Sequence, residues 1–270
     1  MLCDYRIATY NLLCPRQSTE SRLRIVHSLL MALQAHIIAV QEYHRGCELL
    51  DELLEGDGYG VIKQNKSHER IVATYYRRDL FSPIWQQANK SRMLVVEFRE
   101  NRDGGNLIVM NCHLDALDRP ARIRQLASYW QTVRRYVHRN DGIHCEGCDK
   151  RVRHADLESH ASSGRHLENG GGDLSIPERR FSLIWLGDFN FTQFDDEFLS
   201  VTDAFGLIPV NARIPTHISG RTIDHIFRDP WTDAEWVPDT VATGFLNRTN
   251  PSDHVPVCAD FAFPKCKGDK

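Results

Sequence analysis

Ten residues, Phe181-Ser182-Leu183-Ile184-Trp185-Leu186-Gly187-Asp188-Phe189-Asn190, constrain this chain more than any other stretch. The apolar run Leu183 to Leu186, with Phe181 before it, is short and closed by a glycine, which predicts a strand buried on both faces. An aspartate and an asparagine follow at once. Strand ends are where a rigid scaffold presents chemistry. Residues spaced by two share a face for as long as the extension continues. The same residues also read as a strand followed by an Asx turn, and alone they leave both readings open.

The pattern recurs. Arg6 to Asn11 alternates and predicts a strand ending near Asn11. Ile37 to Gln41 predicts a second buried strand with Glu42 just past it, and Leu107 to Cys112 another that ends at His113. Ile71–Tyr76, Met93–Phe98, Thr222–Phe227 and Val255–Phe261 complete the expected strands. Helices follow from apolar residues at helical spacing. Leu23, Val26, His27, Leu30 and Leu33 predict one capped by Ser18 or Thr19, and Leu49, Leu50, Leu53 and Leu54 one closed by Gly56 and Gly58. Ile123, Leu126, Ala127, Trp130, Val133 and Val137 predict the longest, from about 119 to 138, with Pro120 in its first turn. Asp195 to Val201 reads as a short acidic helix.

Eight polar residues are thereby expected at the C-terminal ends of short strands: Asn11, Glu42, His113, Asp188, Asn190, Asp224, Asp253 and His254. Each is ordinary by itself, as a turn residue, a helix-start acid or a half-buried histidine. Eight in one chain are not. Oxygen donors without a soft sulfur among them favour Mg²⁺ or Mn²⁺. Such an ion polarises a phosphoryl oxygen, and a carboxylate beside a histidine fixes its tautomer. The set therefore suits metal-assisted phosphoester hydrolysis.

Composition removes other classes. A net charge of −3 excludes a global basic field for nucleic acid. Asp4 and Arg6 interrupt the first apolar run, which is not a signal peptide, and no run is long enough to span a membrane. The cysteines are scattered apart from Cys145 and Cys148, so free thiols and one metal pair are expected, in a cytoplasmic or nuclear protein. Glycosylation sequons begin at Asn65, Asn89, Asn190 and Asn247. One falls on a candidate site residue, and they are read as chance matches in an intracellular chain.

The segments Tyr10-Asn11, Gln41-Glu42, Asn111-Cys112-His113-Leu114, Gly187-Asp188-Phe189-Asn190, Ile223-Asp224-His225-Ile226 and Ser252-Asp253-His254 together resemble the endonuclease/exonuclease/phosphatase superfamily with its DNase I-like fold. The resemblance covers about residues 5–138 and 180–262. It implies a four-layer α/β sandwich of two packed sheets with helices outside. It also implies roles. Glu42 is the principal metal ligand with Asn11 beside it, and Asp253 supports the metal site. His113 contacts the scissile phosphate, while Asp188 and Asn190 position water or phosphate. His254 stabilises or protonates the phosphate, oriented by Asp224. The general base is divided between Asp188 and His254. The histidine at 113 disfavours an apurinic-site nuclease. Specificity is expected in loops 64–70, 86–92 and 211–221.

Residues 140–175 lack strand periodicity and are rich in His, Gly, Ser and charge. Cys145, Cys148, His160 and His166 have the spacing of a tetrahedral Zn²⁺ site. His160 to His166 resembles U1-like or matrin-type zinc fingers, a family associated with RNA. Between Asp141 and Asn169 six acids outnumber four bases, so the insert has no strongly basic surface, and a protein partner is the other expectation. The expected organisation is an enzyme domain in two halves, 1–139 and 173–264, around a zinc finger at 143–168. The expected function is a divalent-metal-dependent phosphodiesterase acting on nucleic acid, the alternative being hydrolysis of a small or lipid phosphoester such as a phosphoinositide, sphingolipid or nucleotide derivative.

Overall fold

The computed structural model describes residues 4–13, 18–64, 71–89, 92–102, 105–140, 181–211, 215–230, 232–236 and 251–262. In chain order the elements are β1 (Asp4–Asn11), α1 (Glu20–Ala32), β2 (Ile37–Tyr43), α2 (Glu48–Gly56), β3 (Tyr59–Lys63), β4 (Ile71–Arg77), β5 (Phe81–Asn89), β6 (Met93–Glu100), β7 (Asn106–His113), α3 (Arg119–Asn140), β8 (Phe181–Asp188), α4 (Asp196–Leu199), β9 (Ile208–Pro209), β10 (Asp224–Arg228), β11 (Asp233–Trp236) and β12 (Val257–Ala262). The insert, with Cys145, Cys148, His160 and His166, lies outside the described residues.

The strands form two six-stranded sheets, in the orders β11-β12-β1-β2-β4-β3 and β5-β6-β7-β8-β10-β9. Both are mixed: β1 runs parallel to β2 and β7 parallel to β8, while the remaining pairs are antiparallel. The sheets pack face to face over Ile7, Ile37, Val96, Val109, Ile184 and Leu186. Outside the first sheet, Leu23, Val26 and Leu30 of α1 and Leu50 and Leu54 of α2 pack on Ala8, Tyr10 and Val40. Outside the second, Leu126, Trp130 and Val133 of α3 pack on Met110, Leu183 and Trp185. Four layers result. The continuous apolar run of β8 now has its reason: Ile184 and Leu186 face the other sheet, and Leu183 and Trp185 face α3.

Helix ends follow local chemistry. The Thr19 hydroxyl accepts from Arg22 N at 3.3 Å and caps α1. Gly58, at φ +87°, lets the chain leave α2.

Two expectations are corrected. Residues 86–89 of the supposed loop 86–92 belong to β5, which Pro83 and its polar pattern disguised; β5 is an edge strand with a register shift at Pro83/Trp85, where proline is tolerated. Asp224 opens β10 and Asp253 and His254 precede β12, so these three lie at N-terminal strand ends. They still reach the same edge of the sandwich, because β10 and β12 run antiparallel to β8 and β1.

Candidate active site

Strand register assembles the site. In the first sheet Asn11 is level with Gln41, one residue before Glu42. In the second, Asp188 is level with His113 on one side and Asp224 on the other. The sheets meet at this end: Asn11 Nδ2 donates to Asp188 Oδ2 at 2.8 Å. Beneath, Gln41 Nε2 donates to Asn111 Oδ1 at 2.9 Å, and Asn111 Nδ2 donates to Ala73 O at 2.8 Å. This buried amide pair ties the two sheets just under the site. Its members stand inside the sequence segments that carried the family resemblance, where they had been given no role.

Three backbone features aim the side chains. Gly187 has φ +146°, and a Cβ there would lie 2.0 Å from the Cys112 carbonyl oxygen, so only glycine lets β8 press against β7 beside Asp188. Glu42 has φ +55° and sits at the register shift between Val40 and Tyr43. A left-handed conformation costs a non-glycine residue about 1–2 kcal/mol, and a bulge re-aims the side chain that carries it. Beyond the bulge the strand is anchored: Tyr43 and Tyr75 hydroxyls donate to Asp51 at 2.6 and 2.7 Å, and Lys63 pairs with the same carboxylate. Asn190 has φ +52°, so the extension past Asp188 does not continue. Its N–H donates to Asp188 Oδ1 at 3.0 Å and its Nδ2 to Leu114 O at 3.0 Å. The Asx turn is the observed form, and Asp188 and Asn190 do not share a strand face.

Asp188 is the centre of the constellation. Its Oδ2 lies 3.6 Å from His113 Nε2 and 3.7 Å from His254 Nε2. His113 Nε2 is also 4.0 Å from Glu42 Oε1. His254 Nδ1 is 2.8 Å from Asp224 Oδ2. Burial, and then the negative charge of Asp224, push the Asp188 carboxyl up to about 7. Burial works against a charged His254, but Asp224, through charge and hydrogen bond, and then Asp188 and Asp253 outweigh it and raise the imidazole to about 9. A bound divalent cation would lower both.

The last segment is pinned to β1. Ser252 Oγ donates to Asn11 O at 2.7 Å and accepts from His254 N at 3.1 Å. Arg22 of α1 donates to Leu12 O, to Leu13 O at 3.1 Å and to Pro251 O at 2.6 Å. The loop before β10 adds His217, which the strand-end pattern had missed because it lies in a turn and not at the end of an apolar run. Its Nε2 is 3.2 Å from Asp253 Oδ2, and its ring meets that of His254 edge to face, centroids 4.8 Å apart.

The residues fit a hard cation. Asn11, Glu42, Asp188 and Asp253 offer carboxylate and carboxamide oxygens. Asp253 Oδ1 and Asp224 Oδ1 are buried without a hydrogen-bond partner among the described residues, an arrangement that a cation or a water would satisfy. Among the described residues, His217, Asp253 and His254 form one close group of donor atoms and Asp188, Asp224 and His254 another. Glu42 falls in neither and approaches from the His113 side. All eight expected residues thus gather at one end of the sandwich.

The family model for the endonuclease/exonuclease/phosphatase family matches residues 8–254. The chain belongs to this family. Its members hydrolyse phosphoester bonds. Solved structures with the same fold include ANGEL2, "a 2',3'-cyclic phosphatase, in complex with adenosine-2',3'-vanadate", at 15% identity and TM-score 0.68, covering 96% of this chain and 95% of that one. The human Nocturnin catalytic domain with bound sulfate shares 14% identity at TM-score 0.66, covering 97% and 95%. TDP2 from C. elegans shares 16% at TM-score 0.63, covering 96% and 75%. No curated protein matches the chain in sequence. Among the described residues no helix is long and apolar enough to cross a membrane.

Proposed function

We propose that this family member is a divalent-metal-dependent phosphodiesterase acting on nucleic acid. The observation that carries the hydrolytic reading is Asp188 Oδ2, held almost evenly between the Nε2 atoms of His113 and His254 while Asp224 holds the far side of His254. Asn11, Glu42 and Asp253 would hold the ion, which would supply Lewis-acid polarisation of a phosphoryl oxygen and offset charge on the leaving group. Asp188 then takes the proton of the attacking water, whose oxygen bonds to phosphorus as the bond to the leaving oxygen breaks. His254 faces the phosphate as an imidazolium and supplies a proton to the departing side. Its raised proton affinity suits an acid and that of Asp188 a base poised near neutrality. His113 donates a hydrogen bond to a phosphate oxygen, and Asn190 holds the Asp188 loop.

Nucleic acid is favoured by the loops around the site. Leu117, Phe194 and Ile218, each a few residues from a site residue, are 95%, 80% and 67% exposed and offer apolar surface on which bases can pack. The second part of the proposal is that residues 143–168 bind Zn²⁺ through Cys145, Cys148, His160 and His166 and recruit nucleic acid or a protein partner. A small phosphoester is the rival reading, favoured by a structural neighbour described as a mannosyl-6-phosphatase.

The test is turnover by purified protein of labelled single- and double-stranded DNA and RNA, a bis-aryl phosphodiester, a monoester and a phosphoinositide panel. Cleavage of DNA or RNA that stops on chelation and returns with Mg²⁺ or Mn²⁺ is expected. Turnover of monoesters or inositides alone overturns the substrate assignment, and full activity in chelator overturns the metal.

A further inference from the structure

The turn between β9 and β10 does more than connect strands. Thr216 Oγ accepts from the backbone N–H groups of Ile223 and Asp224, each at 3.0 Å. Thr216 O accepts from Val255 N at 2.8 Å, and Ile218 N donates to Asp253 O at 2.8 Å. His217 and His254 are therefore paired antiparallel. One short turn fixes Asp224 at one end and places a second imidazole beside Asp253 at the other.

The tautomer of that imidazole can be read from its partners. Ser219 N–H donates to His217 Nδ1 at 3.1 Å, and a backbone N–H can only donate; the Ser219 hydroxyl, 2.8 Å from the same nitrogen, rotates to suit and can donate to it as well. In the neutral ring Nδ1 is then the acceptor and Nε2 carries the proton. Nε2 faces Asp253 Oδ2 at 3.2 Å. The same assignment argues against His217 as a metal ligand, although its Nε2 lies in a close donor group with Asp253 and His254, because ligation needs a bare nitrogen. Asp253 is a part-exposed carboxylate on a loop and has rotamers to lose. With Oδ2 engaged, Oδ1 points inward, shut off from solvent and 3.7 Å from His254 Nε2.

We propose that His217 is a positioning residue for the metal site: it donates Nε2–H to Asp253 Oδ2 and so presents Oδ1 to the ion, without touching ion or substrate itself. A hydrogen-bond partner behind a ligating carboxylate fixes its orientation, and losing such a partner typically weakens metal binding by about 10–100-fold. The inference rests on the metal-dependent reading above.

The experiment measures Mn²⁺ binding to full-length, metal-stripped protein by calorimetry. His217→Phe keeps an aromatic ring against His254 and removes the donor. His217→Gln puts an amide N–H near the position of Nε2. We expect the Phe variant to melt close to wild type in chelator yet bind Mn²⁺ about tenfold more weakly, and the Gln variant to recover to within about threefold. Equal affinity of wild type and His217→Phe overturns the inference and leaves the metal reading standing. A wild type that takes up no ion overturns both. Wild-type protein tests the tautomer directly, whether or not the Phe variant folds. Long-range ¹H–¹⁵N correlations should show His217 protonated on Nε2 both without Mg²⁺ and at saturation. A proton on Nδ1, or an Nε2 that loses its proton when Mg²⁺ binds, rejects the assignment.

Discussion

At the scale of single residues, the site separates groups that share a strand end but differ in environment. Glu42→Gln keeps shape and removes charge, and it should lower metal-dependent turnover by on the order of a hundredfold or more while the circular dichroism spectrum is unchanged. Activity within a few fold of wild type at saturating Mg²⁺ contradicts the role given to Glu42. Asp224 and His254 are 2.8 Å apart and should act as one unit, so the double alanine variant should lose scarcely more kcat than His254→Ala alone. Losses that multiply would show independent roles. His225 offers a test away from the metal. It is buried among Phe189, Phe191 and Phe198 and donates Nε2–H to Phe191 O, and burial lowers its imidazole to about 4. Below pH 6.5 the unfolded chain takes a proton that the folded chain refuses until about pH 4. Stability is therefore full above the unfolded value and falls with pH across that window, by about 3 kcal/mol in all. His225→Phe should flatten the urea-unfolding midpoint between pH 6.5 and 4.5 relative to wild type. Parallel curves for the two proteins would remove His225 as the cause.

At the scale of elements, β7 and β8 approach so closely at Cys112 and Gly187 that a methyl group has nowhere to go. Gly187→Ala should destabilise by about 3 kcal/mol, from overpacking and a positive φ together, and should lower activity with it by moving Asp188. A melting temperature equal to wild type would show that the strands can part. Elements also mark what was legible in the sequence. The strand ends at Asn11, His113 and Asp188 and the stripe of α3 stood out because burial on one or two faces writes an apolar period. Edge strand β5 did not, since its exposed residues include Gln86 and Gln87 and a proline at its bulge. The bulge that turns Glu42 leaves no mark either, because left-handed φ on a glutamate is imposed by neighbours and not by its own preference. His217 was hidden for a related reason: its role comes from a pairing with His254 across 37 residues of chain.

At the scale of the whole molecule, the insert interrupts a β7–α3–β8 crossover whose two strands are already paired in parallel. Such a connection closes with a short loop. Replacing residues 143–168 by a Gly/Ser linker should leave the melting temperature and turnover of a minimal phosphodiester near wild type, because longer loops cost little entropy. The KM for the long substrate should rise. Cys148→Ser should lower bound zinc from about one equivalent to none. Equal loss of kcat on both substrates would instead place the insert in the active site. The enzyme domain was legible as geometry, whereas the zinc-finger expectation rests on the composition and spacing of residues that lie outside the described ones.

The order of the strands has a further effect. The strands of the second sheet all lie between residues 81 and 228, but the first sheet takes β1 to β4 from before that range and β11 and β12 from after it, with β12 laid against β1, Ala262 opposite Asp4. Asp253, His254 and the Ser252 tether to Asn11 stand just before β12. A chain stopped before residue 251 would therefore carry Glu42, His113 and Asp188 without Asp253 and His254, so the site is complete only once β12 has paired with β1.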